Sequence, residues 1–145
     1  MLNSTTDLYN VSSPFCVCFY RHWASSAAFD CQPCHYSCEV CTAGTATSCV
    51  YCNTTSLRTF STATTSCPCN DAYFDDGSNE LCQPCHSYCA LCTTALPNSC
   101  SKCNPLYYHL VATTTCYSTC PDYYFDYQQN FTCQQCSTHC LKCLN

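Results

Sequence analysis

Twenty-two cysteines in 145 residues leave this chain few ways to fold, and their spacing constrains it further. The stretch CQPCHYSCEVC, Cys31 to Cys41, returns as CQPCHSYCALC from Cys82 and as CQQCSTHCLKC from Cys133, so both intervals are 51 residues. A period in that range marks an array of repeated supersecondary units. The register is strict. Cys18, Cys69 and Cys120 align, as do Cys34, Cys85 and Cys136; Cys38, Cys89 and Cys140; and Cys41, Cys92 and Cys143. Cys49 with Cys100 and Cys52 with Cys103 follow the same rule. One position slips: Cys16 and Cys67 stand two residues before the next cysteine, whereas Cys116 stands four before Cys120.

Cysteine at about 15% of a chain exceeds the level of a disulfide scaffold, so cross-links take the place of a large core. No window of about 11 residues carries sustained helical periodicity in aliphatic residues. The expected architecture is a small disulfide-rich repeat rod built of short β-hairpins and irregular loops, with little or no helix. Its repeats are residues 1-51, degenerate at the N-terminal side, 52-102, and 103-145, which is truncated.

Such a cysteine density persists as disulfide in an oxidising compartment, which points to a secreted or cell-surface protein. Four sequons agree, at Asn3, Asn10, Asn53 and Asn130, each an N-glycan acceptor on the secretory route. Four Lys and Arg against nine Asp and Glu, a net charge of −5, offer no footprint for nucleic acid and disfavour anionic membranes. Nothing approaches the roughly 18 apolar residues of a membrane span. The opening MLNSTTDLYNVSS lacks the basic and apolar regions of a signal peptide, so the chain reads as a mature or excised segment.

Each unit has three parts. A 12-residue arm between cysteines comes first: FYRHWASSAAFD, NDAYFDDGSNEL or PDYYFDYQQNFT. Tyr73-Phe74, Tyr124-Phe125 and His22-Trp23 occupy equivalent places, suited to covering the cross-link of a two-stranded hairpin. Asp76-Gly77 is suited to a tight turn between those strands. The cysteine knot follows. Last come Ser/Thr-rich loops, Asn53 to Ser66 and Asn104 to Thr115, read as solvated turns or as carriers of O-linked glycans.

The spacing of CHYSCEVCTAGTATSCVYC from Cys34 and CHSYCALCTTALPNSCSKC from Cys85, with the arms between them, resembles the growth-factor-receptor cysteine-rich domain, or furin-like repeats. The low Lys content and abundant Ser, Thr and Tyr are similar to such arrays in surface proteins of single-celled eukaryotes. The resemblance implies an interlaced knot, with Cys34 bridged to Cys41, Cys38 to Cys49, Cys85 to Cys92, Cys89 to Cys100 and Cys136 to Cys143. It likewise implies arm and loop bridges Cys18 to Cys31, Cys52 to Cys67, Cys69 to Cys82, Cys103 to Cys116 and Cys120 to Cys133. Spacing alone leaves the connectivity open. Cys16 and Cys140 are left over, at the two cut edges of the repeat, and are expected to be unpaired or to bridge to further repeats of a longer chain or to like subunits.

Other chemistry fits less well. Paired C-x2-C motifs can hold zinc, but the sequons and the C-x-C and C-x3-C spacings argue against reduced thiolates. CQPCH at Cys31–His35 and Cys82–His86 matches a haem-attachment signature, yet the third copy has Ser137 in place of His. Redox C-x2-C sites need a helix N-terminus or a nearby cation. The carboxylates Asp71, Asp75, Asp76, Glu80, Asp122 and Asp126 fit neither a hydrolase motif nor an EF-hand loop and read as solvated. No catalytic, metal or cofactor site is therefore expected. The leading expectation is a non-enzymatic extracellular protein acting as a rigid, glycosylated spacer, coat or filament component. A ligand-binding receptor ectodomain is the second, with Arg21, His22 and Trp23 as the one departure between units that would favour it.

Overall fold

The computed structural model describes residues 18–25 and 30–143. Cys16, Asn3 and Asn10 lie outside the described residues. The chain divides into two compact units: one runs to Asn70 and includes Gly77–Cys82, and the other comprises Asp71–Asp76 and the chain from Gln83 onward.

In the first unit, β1 (His22–Ser25) pairs antiparallel with β2 (Asp30–Pro33), and β3 (Val40–Cys41) pairs with β4 (Cys49–Tyr51). A 3-10 turn at Thr54–Ser56 follows, capped by Asn53, whose side chain accepts from the Thr55 N–H. The buried cluster is Cys38, Cys41, Cys49, Cys52 and Cys67, with Trp23, Cys34 and Phe60 packed against it.

The second unit repeats the plan. β5 (Tyr73–Phe74) pairs with β6 (Gln83–Pro84), and β7 (Cys89–Cys92) with β8 (Cys100–Cys103). β9 (Tyr108–Leu110), β10 (Thr115–Tyr117), β11 (Tyr124–Tyr127) and β12 (Thr132–Gln135) form one sheet in the order β10-β9-β12-β11. Its one parallel pairing, β9 with β12, places Thr132 opposite His109. A second 3-10 turn, Val111–Thr113, links β9 to β10. These two turns are the only helical elements among the described residues.

Strands of two to four residues cannot hold together by backbone pairing alone. Here cystines supply the interior. Leu110 is the only buried hydrophobic residue other than cysteine among the described residues. The fold is thus small and disulfide-rich, without a large aliphatic core among the described residues.

Two expectations about the arms need correction. Asp76-Gly77 is not a tight two-residue turn: pairing stops at Phe74 with Gln83, which leaves residues 75–82 as a wide loop. Gly77 still takes a left-handed φ of 82°, but the loop's shape follows from the Asn79 and Glu80 carbonyls, which are held by a buried arginine. The aromatics also differ in their use. Tyr124 packs against the cluster of Leu110, Cys120 and Cys133, which contains the cross-link of its own hairpin, whereas Trp23 packs against the knot cluster.

Candidate functional site

The recurring feature of this chain is the bridged knot, built from covalent links and from hydrogen bonds that repeat with the sequence period. Disulfides join Cys18 to Cys31, Cys34 to Cys41, Cys38 to Cys49, Cys52 to Cys67 and Cys69 to Cys82. Five more join Cys85 to Cys92, Cys89 to Cys100, Cys103 to Cys116, Cys120 to Cys133 and Cys136 to Cys143. The bridged residues lie 7 to 15 apart in sequence, with Cα atoms 5.1 to 5.8 Å apart, the usual reach of a cystine. Within these bridges Cys34, Cys38 and Cys41 are not thiolate ligands for a metal. Cys140 is the one free cysteine among the described residues, half-buried.

A backbone latch ties each arm to its knot. Arg21, Ala72 and Tyr123, spaced by 51 residues, have positive φ of 62°, 67° and 70°. Their carbonyls accept from the N–H of Cys34, Cys85 and Cys136 at 2.8, 2.9 and 2.8 Å. None of the three is glycine, although the left-handed region costs an L-residue roughly 1–2 kcal/mol. The bridges on either side of each position and the latch itself hold the backbone there.

A second latch ties each Ser/Thr-rich loop to its knot. Thr65 and Thr114 have φ of 48° and 50°, and their carbonyls accept from the N–H of Cys49 and Cys100, both at 2.9 Å. Their hydroxyls donate to the carbonyls of Thr47 and Asn98, both at 2.5 Å. Each threonine stands two residues before the cysteine that closes its loop, Cys67 or Cys116. The slip in the sequence period therefore vanishes when positions are counted from the bridge.

His35 and His86 serve the knot turns. The Nδ1 of His35 accepts from Ser37 N–H at 3.3 Å, and that of His86 from Tyr88 N–H at 3.4 Å. An accepting Nδ1 puts the neutral ring's proton on Nε2.

The densest polar cluster surrounds Glu80 and was not legible as a cluster in the sequence. Arg58 is 3% exposed. It donates from Nε to the Glu80 carbonyl at 2.7 Å, from one terminal nitrogen to the Cys67 carbonyl at 3.0 Å and from the other to the Asn79 carbonyl at 3.1 Å. The guanidinium also lies 5.5 Å from the Tyr36 ring centroid, within cation–π range. The Glu80 carboxylate pairs with Arg21 and accepts from Asn53 Nδ2 at 2.8 Å. The signal available beforehand was a lone cation inside a Ser/Thr-rich loop. The loop is therefore more than a solvated turn: Ser56 and Arg58 are buried while Thr62 to Thr65 are exposed.

The remaining carboxylates are dispersed. Asp126 accepts from Cys120 N–H at 2.7 Å, Asp122 faces exposed Lys142 at 3.8 Å, and Asp71, Asp75 and Asp76 are exposed. Among the described residues, no three His, Cys, Asp or Glu side chains gather as a metal site would require, and no helix is long and apolar enough to cross a membrane. Of the two described sequons, Asn53 is half-buried beside the Glu80 cluster and Asn130 is exposed in the loop between β11 and β12.

Comparison with known proteins gives matches across most of the chain. It is 33% identical over 122 residues, 79% of its length, to "Cysteine repeat modular protein 2" of Tetrahymena thermophila. It is 34% identical over 114 residues, 78% of its length, to human "Extracellular matrix organizing protein FRAS1". It is 31% identical over 117 residues, 77% of its length, to rat "Proprotein convertase subtilisin/kexin type 6". The chain spans only 6%, 3% and 12% of those relatives' own lengths. No family model matches the chain, and no solved structure matches it.

Proposed function

Because the chain belongs to the furin-like, growth-factor-receptor type of cysteine-rich repeats, we propose that it is an extracellular structural array: a stiff, glycosylated spacer, coat or filament component. One observation carries this reading. Every bridge closes within 15 residues of sequence, and the arm and loop latches recur in the same places. Each knot is thus completed by its own neighbourhood, and such units can be added in series without a common core. One of the relatives is named for organising extracellular matrix, and another is named as a modular protein of cysteine repeats. Relatives named as proteases match over a cysteine-rich repeat region and not over a catalytic domain, which favours a non-enzymatic role for this segment.

The alternative of a ligand-binding ectodomain has less support. Arg21 and Trp23, the residues that distinguish the first arm, are engaged within their own unit by Glu80 and by the knot cluster. Electron microscopy of the native protein from its source tests the reading. A regular filament or surface lattice containing the chain is the expected result, and a solitary ectodomain would overturn it. Alkylation of the same material without reductant tests the compartment: ten bridges leave the paired cysteines unlabelled, whereas wholesale labelling would contradict extracellular placement.

A further inference from the structure

The two described sequons share one half of their geometry and differ in the other. At Asn53, Oδ1 accepts from the Thr55 N–H at 3.0 Å and the Thr55 hydroxyl at 2.7 Å. At Asn130, Oδ1 accepts from the Thr132 hydroxyl at 2.5 Å. The difference lies at Nδ2, the atom that would carry a glycan. Asn53 Nδ2 donates to Glu80 Oε1 at 2.8 Å, and the other oxygen of that carboxylate pairs with Arg21. Asn130 Nδ2 has no hydrogen-bond partner among the described residues. Asn130 also lines an open cavity of about 440 Å³ together with Phe131, Tyr107, Pro105 and Lys102.

We infer that the structure divides the two sequons between different uses, with Asn130 carrying an N-linked glycan on the folded chain and Asn53 kept bare as a structural residue. The inference rests on the extracellular reading above, because only the secretory route supplies the reaction. Transfer forms a bond from Nδ2 to the anomeric carbon of an oligosaccharide carried on a lipid diphosphate. It breaks that carbon's bond to the phosphate oxygen, and one Nδ2 proton passes to a base of the transferring enzyme as the lipid diphosphate leaves. At Asn130 the product meets an exposed loop, with room for the first sugar beside Phe131 and Tyr107. At Asn53 the same product places a bulky sugar against the Glu80 carboxylate. Opening that contact separates Glu80 from Arg21 and disturbs the cap of the 3-10 turn next to buried Cys52. Chains modified there before folding complete the knot less well and are depleted from the folded pool.

The test is glycopeptide mass spectrometry of the full chain secreted by a eukaryotic host, with each site marked by enzymatic release in heavy-oxygen water. Occupancy at Asn130 is expected in most molecules, and at Asn53 at least five-fold lower. Thr132→Ala should lower the glycan mass of the secreted chain by the share released from Asn130, whereas Thr55→Ala, which destroys the sequon at Asn53, should leave the chain's total glycan mass unchanged. Equal occupancy at both sites, occupancy at Asn53 alone, or none at either would overturn the inference. Thiol alkylation of the same sample separates the two failures. A bare Asn130 on a fully bridged chain refutes the glycan assignment alone, whereas free thiols throughout refute the extracellular reading on which it rests.

Discussion

The Nε of Arg58 donates to the backbone carbonyl of Glu80 across 2.7 Å, joining residues 22 apart in sequence. Arg58 is buried and spends its donors on carbonyls, so its removal strands acceptors that water reaches poorly. Arg58→Met should therefore destabilise the chain by about 2–4 kcal/mol, read as a lower denaturation midpoint with the disulfides intact. Arg58→Lys should recover little of this, because an ammonium cannot reproduce the planar fork that meets three carbonyls.

The neighbouring ion pair should matter much less. Arg21 and Glu80 are 35% and 30% exposed at their side chains, and water screens a pair of that kind. A double-mutant cycle with Arg21→Met and Glu80→Gln should give a coupling below about 1 kcal/mol. The Glu80→Gln change leaves intact the backbone carbonyl that Arg58 uses.

Ala72 tests the arm latch. Its φ of 67° is one that glycine adopts freely. Ala72→Gly should be neutral or stabilising by up to about 1 kcal/mol, since relief of the left-handed strain is offset by greater freedom of the unfolded chain. Ala72→Val, with a β-branched side chain at the same φ, should lower the melting temperature.

Removing one bridge should have a local effect. Cys38 and Cys49 are 1% and 3% exposed, and replacing both by Ala should cost about 2–5 kcal/mol. Limited proteolysis should then cut between residues 34 and 67. The equivalent knot around Cys89 and Cys100 should remain protected, because it is closed by bridges of its own. Cleavage spreading equally through both knots would contradict self-contained repeats.

The left-handed arm positions show where the sequence stops being informative. Nothing in Arg21, Ala72 or Tyr123 as residue types signals positive φ, and only the 51-residue spacing relates them. Positive φ there is imposed by the bridges that flank each position, not by local propensity. Asp76-Gly77 shows the converse: its local turn propensity was readable, but the Asn79 and Glu80 carbonyls bind Arg58 and hold the loop wide. Propensity was overruled by a contact made from outside the arm.

The sequence by itself determined the scaffold: the cysteine period, the want of a large aliphatic core among the described residues and the place of the arm hairpins follow from covalent spacing and composition, which are properties of the chain read in order. What only the tertiary structure decided was where the isolated polar residues go. Arg58 entered the interior because carbonyls 9 to 22 residues away met its donors there. The sequons Asn53 and Asn130 look alike as residues, yet only one has a carboxylate brought to its Nδ2. Hydrogen bonding depends on which groups the fold brings within about 3 Å, and no one-dimensional pattern encodes that proximity.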